Sequence, residues 1–320
     1  MEKMKRLRNE YRSLPKKYYH LCTDGWKEGL LFHTEAQYVS AMTSLALMTL
    51  KFDITIYGFA LMPNHVHILL SGTGASCLQA FFLLTHRCTR RLRLDGHPQL
   101  PASYWFKLIP VENQESFRTH LLYIARNPYE KGRRNPGGYL WGSDYLIYSD
   151  WADILRGIPT KNMKQKDVAK LIDCHDCLPE YWEIHPRLGI LARNFVKTES
   201  VYKLFPTSKS YMTKLVKDYE TYVHVSDLLE EEVSFSDTEM KDIIYTQTSR
   251  LFPGKKFYQL TSEEKIRLVV TLVEQYRFTP QQLATFLHIS EHTINQALHS
   301  KTYGTTVTKS LAVAQPGGPA

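Results

Sequence analysis

Residues 57–70, Tyr-Gly-Phe-Ala-Leu-Met-Pro-Asn-His-Val-His-Ile-Leu-Leu, constrain the fold more than any other stretch of the chain. An apolar, β-prone run is interrupted by Met62-Pro63-Asn64, a turn signal, so the pattern predicts a strand ending at Ala60 and another from His65 to Ser71. His65 and His67 therefore open their strand. Residues two apart on a strand point to one face, roughly 6.5 Å from each other. Two imidazoles held that way can share one metal ion; the same spacing also suits two histidines on a half-polar strand with no ligand.

Residues 117–132 carry Phe117, Leu121, Leu122 and Ile124 at roughly helical spacing. Tyr123 and Asn127, four apart, project from one helix face about 5–6 Å from each other. Pro128 follows at once and puts Asn127 near the helix end; Gly132 then opens a loop. A phenol and an amide on one face can be core filler with a polar partner. Beside a two-histidine strand they acquire a second use, as nucleophile and third metal ligand.

The rest of the N-terminal half interleaves strand and helix signals. Lys17 to Thr23 reads as a strand, Thr34 to Lys51 as an amphipathic helix and Asp53 to Ala60 as a strand. Ser76 to Leu94 reads as a helix, Trp105 to Val111 as a short strand, and the tyrosine helix comes last. This order predicts an α+β domain, a central antiparallel sheet with helices on one side. The later turns of the Ser76 helix carry His86, Arg87, Arg90, Arg91 and Arg93, either a solvated face or a phosphate-contacting surface. Tyr104, Trp105 and Phe106 can stack unpaired bases or fill the core.

With 320 residues the chain can hold two domains. No run approaches the ~20 apolar residues of a membrane span. The basic, polar N-terminus lacks the apolar core of a secretion signal, which leads us to expect a cytoplasmic protein without a membrane partner. Five cysteines form no even framework and are expected as reduced thiols; Cys174 and Cys177 make a C-x-x-C with no second ligand pair, so they read as incidental. Residues 1–160 contain 20 lysines and arginines against 13 acidic residues, whereas the second half is nearly balanced. The positive excess lies with the proposed site, as expected for a partner made of phosphates.

Gly157-Ile158-Pro159-Thr160 marks an expected boundary, giving a domain over 1–158 and a helical region of unassigned role over 159–252, with an acidic patch at Glu230, Glu231 and Glu232. Residues 253–302 form a helix-turn-helix-like domain, and 303–320 a disordered tail. Thr261 to Tyr276 reads as one helix. Thr279 then caps a helix with Pro280 at its first position, His288-Ile289-Ser290 turns, and Glu291 to His299 makes a second helix. Thr293, Asn295 and Gln296 are available there to read a major groove, although such helix pairs also serve as plain packing units.

Four ordered blocks resemble the IS200-like HUH tyrosine transposases, and more closely their REP-associated (RAYT-like) branch. They are Tyr19-His20-Leu21-Cys22-Thr23 with Leu31-Phe32, Pro63-Asn64-His65-Val66-His67, Tyr123-Ile124-Ala125-Arg126-Asn127-Pro128 with Gly132, and Tyr139-Leu140-Trp141-Gly142-Ser143-Asp144-Tyr145. The match spans about residues 15–150. Ser103-Tyr104-Trp105-Phe106-Lys107 replaces the family's aromatic, basic block between the two motifs, and Arg126 and Tyr129 are not its commonest choices.

The resemblance implies a ferredoxin-like sheet and a metal-dependent transesterase of single-stranded DNA. In it Tyr123 is the nucleophile, and His65, His67 and Asn127 hold Mg²⁺ or Mn²⁺. Expected partners are single-stranded or hairpin DNA, with Arg87, Arg90, Arg91 and Trp105 as contacts, and duplex DNA through Thr293, Asn295 and Gln296; a homodimer stays open. The competing function is a non-catalytic regulator that only binds hairpin or repeat DNA.

Overall fold

A computed structural model describes residues 2–25, 29–130, 137–231, 233 and 235–299. Gly132, Glu232 and the tail beyond 299 lie outside the described residues. The chain separates into two compact units, residues 1–230 and 231–320.

The first unit opens with α1 (Glu2–Ser13), which the sequence did not announce, followed by β1 (Lys17–Thr23), α2 (Glu35–Lys51), β2 (Thr55–Leu61), β3 (Val66–Gly72), α3 (Gly74–Leu94), β4 (Phe106–Val111) and α4 (Gln114–Glu130). The four strands form one antiparallel sheet in the order β2-β3-β1-β4. From β1 to β4 the order is βαββαβ, and the two crossover helices return the chain across the sheet. This is the ferredoxin-like arrangement.

Strand alternation divides the side chains between the faces. Tyr19, Leu21, Ile68 and Leu70 point into the larger core with α2 and α3. Ala60, Leu69 and Val111 point the other way, against Leu121, Leu122 and Ile124 of α4. The expectation of helices on one side therefore needs correction: it fits the crossover helices, but α4 covers the opposite face. The cause is visible in β3, where every residue from Val66 to Leu70 is buried. A sheet apolar on both faces needs both covered, and each fully buried leucine contributes about 1.5–3 kcal/mol.

The Pro63 turn is held by several backbone bonds. Met62 N donates to His65 O at 2.9 Å, and Leu31 N and Phe32 N both donate to Pro63 O. Val66 N donates to Thr23 Oγ1 at 2.8 Å, tying the start of β3 to the end of β1. The segment around Trp141 runs along the outer edge of β2: Leu61 N donates to Trp141 O at 2.8 Å and Ser143 N to Phe59 O at 2.9 Å. That edge is thereby covered.

The unit continues with α5 (Trp151–Ile154), β5 (Ile158–Pro159), α6 (Gln165–Ile172), β6 (Glu183–His185), β7 (Gly189–Ile190), α7 (Glu199–Leu204), α8 (Ser208–Lys217) and α9 (Tyr219–Leu229). Strands β5, β6 and β7 make a second, small sheet that the sequence did not signal. Helices α8 and α9 pack on α4. Among the described residues no helix is long and apolar enough to cross a membrane.

The second unit contains α10 (Asp237–Leu251), α11 (Ser262–Tyr276), α12 (Pro280–Leu287) and α13 over 291–299. Thr261 and Thr279 cap α11 and α12, each accepting from the backbone three residues on, and Pro280 occupies the first turn. Leu268, Val269, Leu272, Leu283, Leu287 and Ile294 are buried. Gln247 Nε2 donates to Tyr276 Oη at 2.6 Å.

Candidate active site

His67 lies on β3, directly opposite Cys22 of β1. Directly paired residues share a face, so His20, two before Cys22, points the same way. That face looks onto α4, where His120, Tyr123 and Asn127 follow one another at helical spacing. The sheet and the helix thus bring five polar side chains into one buried cluster. Tyr123 and Asn127 are each 2 % exposed, and His20 and His67 are completely buried.

The rings of His65 and His67 lie with centroids 4.7 Å apart and nearly perpendicular. Asn127 Nδ2 stands 3.2 Å from His67 Nε2. The Tyr123 ring centre is 5.5 Å from that of His67 and 6.0 Å from that of His20. All four residues singled out for chemistry in the sequence are therefore neighbours. Helix α4 continues through Pro128 to Glu130, so Asn127 sits in its last turn. Pro128 has no N–H to donate back to Ile124 there.

Three polar contacts set the chemistry of the imidazoles. His65 Nδ1 is 2.8 Å from Asn64 Oδ1; a carboxamide oxygen only accepts, so His65 carries its proton on Nδ1 and presents Nε2 as the basic nitrogen. His67 Nδ1 is 3.1 Å from His20 Nε2, and His20 Nδ1 is 2.8 Å from His120 Nδ1. Burial pushes His20 well below the usual imidazole range, with His120 and His67 adding to the effect. His120 falls to about 4, through burial first and the nearby His224 second. Both are held neutral at pH 7.

The donor set fits a divalent cation. Asn127 Oδ1 is buried and accepts no hydrogen bond among the described residues, a condition that costs about 1–3 kcal/mol when nothing else satisfies the atom. It lies on the same amide that touches His67 Nε2. Two imidazole nitrogens and a neutral carbonyl oxygen are a donor set that can hold a divalent cation. The Cys22 sulfur also comes within 4.8 Å of a His67 ring nitrogen.

Helix α9 lies against this face. The Tyr222 ring stacks on the Tyr123 ring with centroids 5.0 Å apart, and the Arg126 guanidinium sits 5.0 Å from the ring centres of both Tyr219 and Tyr222. Arg126 also donates to the carbonyls of Leu215 and Val216. The sequence motif gave no sign of this cover.

The arginines proposed as phosphate contacts stand apart from the cluster, on α3. Arg87 donates to the carbonyls of Ile172 and Asp173, Arg90 pairs with the Asp173 carboxylate, and Arg91 pairs with Asp95. Trp105 is buried against Phe81, Phe82 and Phe106. In the second unit Thr293 and Gln296 are exposed and Asn295 is half-buried. Asp144, from the Trp141 segment, is buried; it accepts from Tyr211 Oη and Gly137 N and is pushed up to about 6 by burial.

Sequence reasoning passed over His20 and His120 as site residues. His20 shares strand phase with Cys22 and His120 lies three before Tyr123 on α4, but only the β1–β3 register brings them to His67.

No family model matches the chain, and none of the curated proteins matches it. Among solved structures it is similar to a REP-associated tyrosine transposase bound to a REP hairpin. The two are 15 % identical, the match covers 42 % of this chain and 81 % of that one, and the TM-score is 0.35.

Proposed function

We propose that the chain is a metal-dependent transesterase of single-stranded DNA, a transposase-type enzyme that cleaves and rejoins strands through a 5′-phosphotyrosine. The observation that carries this is the convergence of His65, His67, Tyr123 and Asn127 on one buried face, with Asn127 Oδ1 awaiting a partner. The ordered motifs that hold these residues support it.

His65 and His67 would hold Mg²⁺ or Mn²⁺ through Nε2, and Asn127 through Oδ1. A bound divalent ion supplies positive charge beside a non-bridging phosphoryl oxygen and eases loss of the phenolic proton. The Tyr123 oxygen gives up its proton and attacks phosphorus; the P–O3′ bond breaks and the departing 3′ oxygen takes up a proton, leaving a free 3′-OH and a phosphotyrosine on the 5′ end of the downstream strand. An ordinary phenol has a pKa of about 10, so attack at neutral pH needs that assistance. The phosphodiester's energy is retained in the covalent link, and a later 3′-OH can reverse the step. Residues 1–158 carry this chemistry, and the capped helices of residues 253–302 add duplex contact through Thr293, Asn295 and Gln296.

A second function is favoured by one observation. The Tyr222 ring occupies the face of Tyr123, as suits a protein that only binds hairpin or repeat DNA. A strand reaching Tyr123 takes the place of that ring. The two functions separate on labelled single-stranded hairpins from the flanking DNA, incubated with Mn²⁺ or with EDTA. A transesterase yields a cleaved product with a free 3′-OH only with the metal; intact DNA in both arms, with binding retained, identifies a regulator.

A further inference from the structure

Beneath the proposed ligands runs a chain of three buried imidazoles. His67 Nδ1, His20 Nε2, His20 Nδ1 and His120 Nδ1 are linked by separations of 3.1 and 2.8 Å, and the rings of His20 and His120 meet edge to face at 5.0 Å. Each neutral imidazole has one N–H donor and one acceptor nitrogen, so such a chain has only two polarities. The near end decides between them. Asn127 turns its Nδ2 towards His67 Nε2 at 3.2 Å, and an amide NH₂ only donates. His67 Nε2 is then the acceptor and Nδ1 carries the proton. His67 donates to His20, and His20 Nδ1–H donates to His120 Nδ1.

We propose that His20 and His120 are positioning residues that lock His67 in the Nδ1–H tautomer, so that its Nε2 carries the lone pair that a divalent cation would take in place of the Asn127 Nδ2–H contact. This rests on His67 being a metal ligand. Asn64 does the same for His65 with a single hydrogen bond, so both histidines of the motif present the same ring nitrogen. Ligating histidines ordinarily fix their tautomer against a carboxylate or a backbone carbonyl. Here the neighbours of His67 are a strand and a helix whose inward groups are imidazoles, and the acceptor is two rings away. The opposite polarity would put a proton on His67 Nε2 and require Asn127 to turn its oxygen to the ring, which leaves no lone pair for a metal.

The chain makes His120, which is linked to His67 through His20, matter to metal binding. In His120→Leu, His20 loses its acceptor and the polarity is no longer enforced. In His120→Gln, the amide oxygen can still accept from His20 Nδ1–H. The test uses the full-length protein, metal-free, with ¹⁵N-labelled histidine. Long-range ¹H–¹⁵N correlation spectra assign the tautomer of His67, and Mn²⁺ titration followed by electron paramagnetic resonance gives affinity.

Wild type should show His67 protonated on Nδ1. His120→Leu should mix the two tautomers and weaken Mn²⁺ binding about 10-fold, within the range for loss of an outer partner, while His120→Gln should stay within about twofold of wild type. A wild-type His67 protonated on Nε2 overturns the proposal whatever the variants do. So does an unchanged tautomer and affinity in a folded His120→Leu. A wild type that shows the Nδ1–H tautomer but binds no Mn²⁺ supports the imidazole chain and refutes the metal-dependent function, so the two failures are distinguishable.

Discussion

His120 gives the structure a measurable acid sensitivity. Its folded pKa of about 4 lies below the ordinary imidazole value, because the ring is buried and faces His224. Above pH 7 it is neutral in both folded and unfolded chains and contributes nothing. As the pH falls through about 6.5 the unfolded chain takes up a proton that the folded one refuses, so stability declines until about pH 4 and then levels. Between pH 7.5 and 5.0 this residue alone should remove about 2 kcal/mol. His20 acts with the same sign.

Asp144 opposes them. Its carboxyl, raised to about 6, favours the folded state increasingly as the pH falls from 6 towards 3.8, returning about 1 kcal/mol by pH 5. The total slope therefore mixes signs, and the informative quantity is the difference between wild type and His120→Gln. Urea unfolding at pH 7.5, 6.5, 5.5 and 5.0 measures it. All five tryptophans lie in residues 1–230, so their fluorescence reports the unit that contains His120. The variant should lose about 2 kcal/mol less than wild type between the extremes. Parallel stability curves would refute the claim that His120 is held neutral.

Other consequences are direct. A Cβ at Gly74 would stand 1.8 Å from the Tyr11 carbonyl oxygen and 2.7 Å from Leu14 Cβ, so Gly74→Ala should cost about 1–3 kcal/mol and displace α1, read as a lower melting temperature. His65→Ala and His67→Ala should each abolish strand cleavage, and EDTA should do the same to wild type with rescue by Mn²⁺; Asn127→Ala should be milder, since a neutral amide is the weaker ligand. Because the compact unit runs to residue 230, a fragment of residues 1–230 should melt cooperatively and cleave short single strands. A fragment ending at Thr160 lacks β6, β7, α8 and α9 and should not melt cooperatively. If residues 253–302 contact duplex, the 1–230 fragment should bind duplex-flanked sites more weakly than the full chain; equal affinity would remove that role.

Much of the first unit was legible because its signals are local. Lys17–Thr23 is a short β-prone run, Thr34 stands at a helix start, and Pro63-Asn64 breaks one apolar run into two strands. The four residues singled out for chemistry were readable as spacings, i to i+2 on a strand and i to i+4 on a helix. What escaped needed knowledge of register. His20 meets His67 only because β1 pairs antiparallel with β3 with Cys22 opposite His67, and His120 meets His20 across a hundred residues.

The position of α4 was missed for a related reason: a continuously apolar β3 says that both faces are covered but not by which helix. The strands β5 and β7, two residues each, are too short to leave a periodic pattern. The partners of Arg87 and Arg90 lie far along the chain, at Ile172 and Asp173, and so left no mark on the local sequence, whereas Arg91 pairs with Asp95 four residues on.

The central claim, that Tyr123 forms a covalent bond to DNA, is tested by trapping. Wild type and Tyr123→Phe are incubated with a 5′-cleavable, 3′-labelled single-stranded hairpin and Mn²⁺, denatured, and resolved by size, with the modified peptide identified by mass spectrometry. Wild type should carry label on the peptide containing Tyr123, and Tyr123→Phe should bind the hairpin equally well with no adduct, because only the hydroxyl is lost. An adduct that forms undiminished in Tyr123→Phe, or label found on Tyr129, would contradict the assignment.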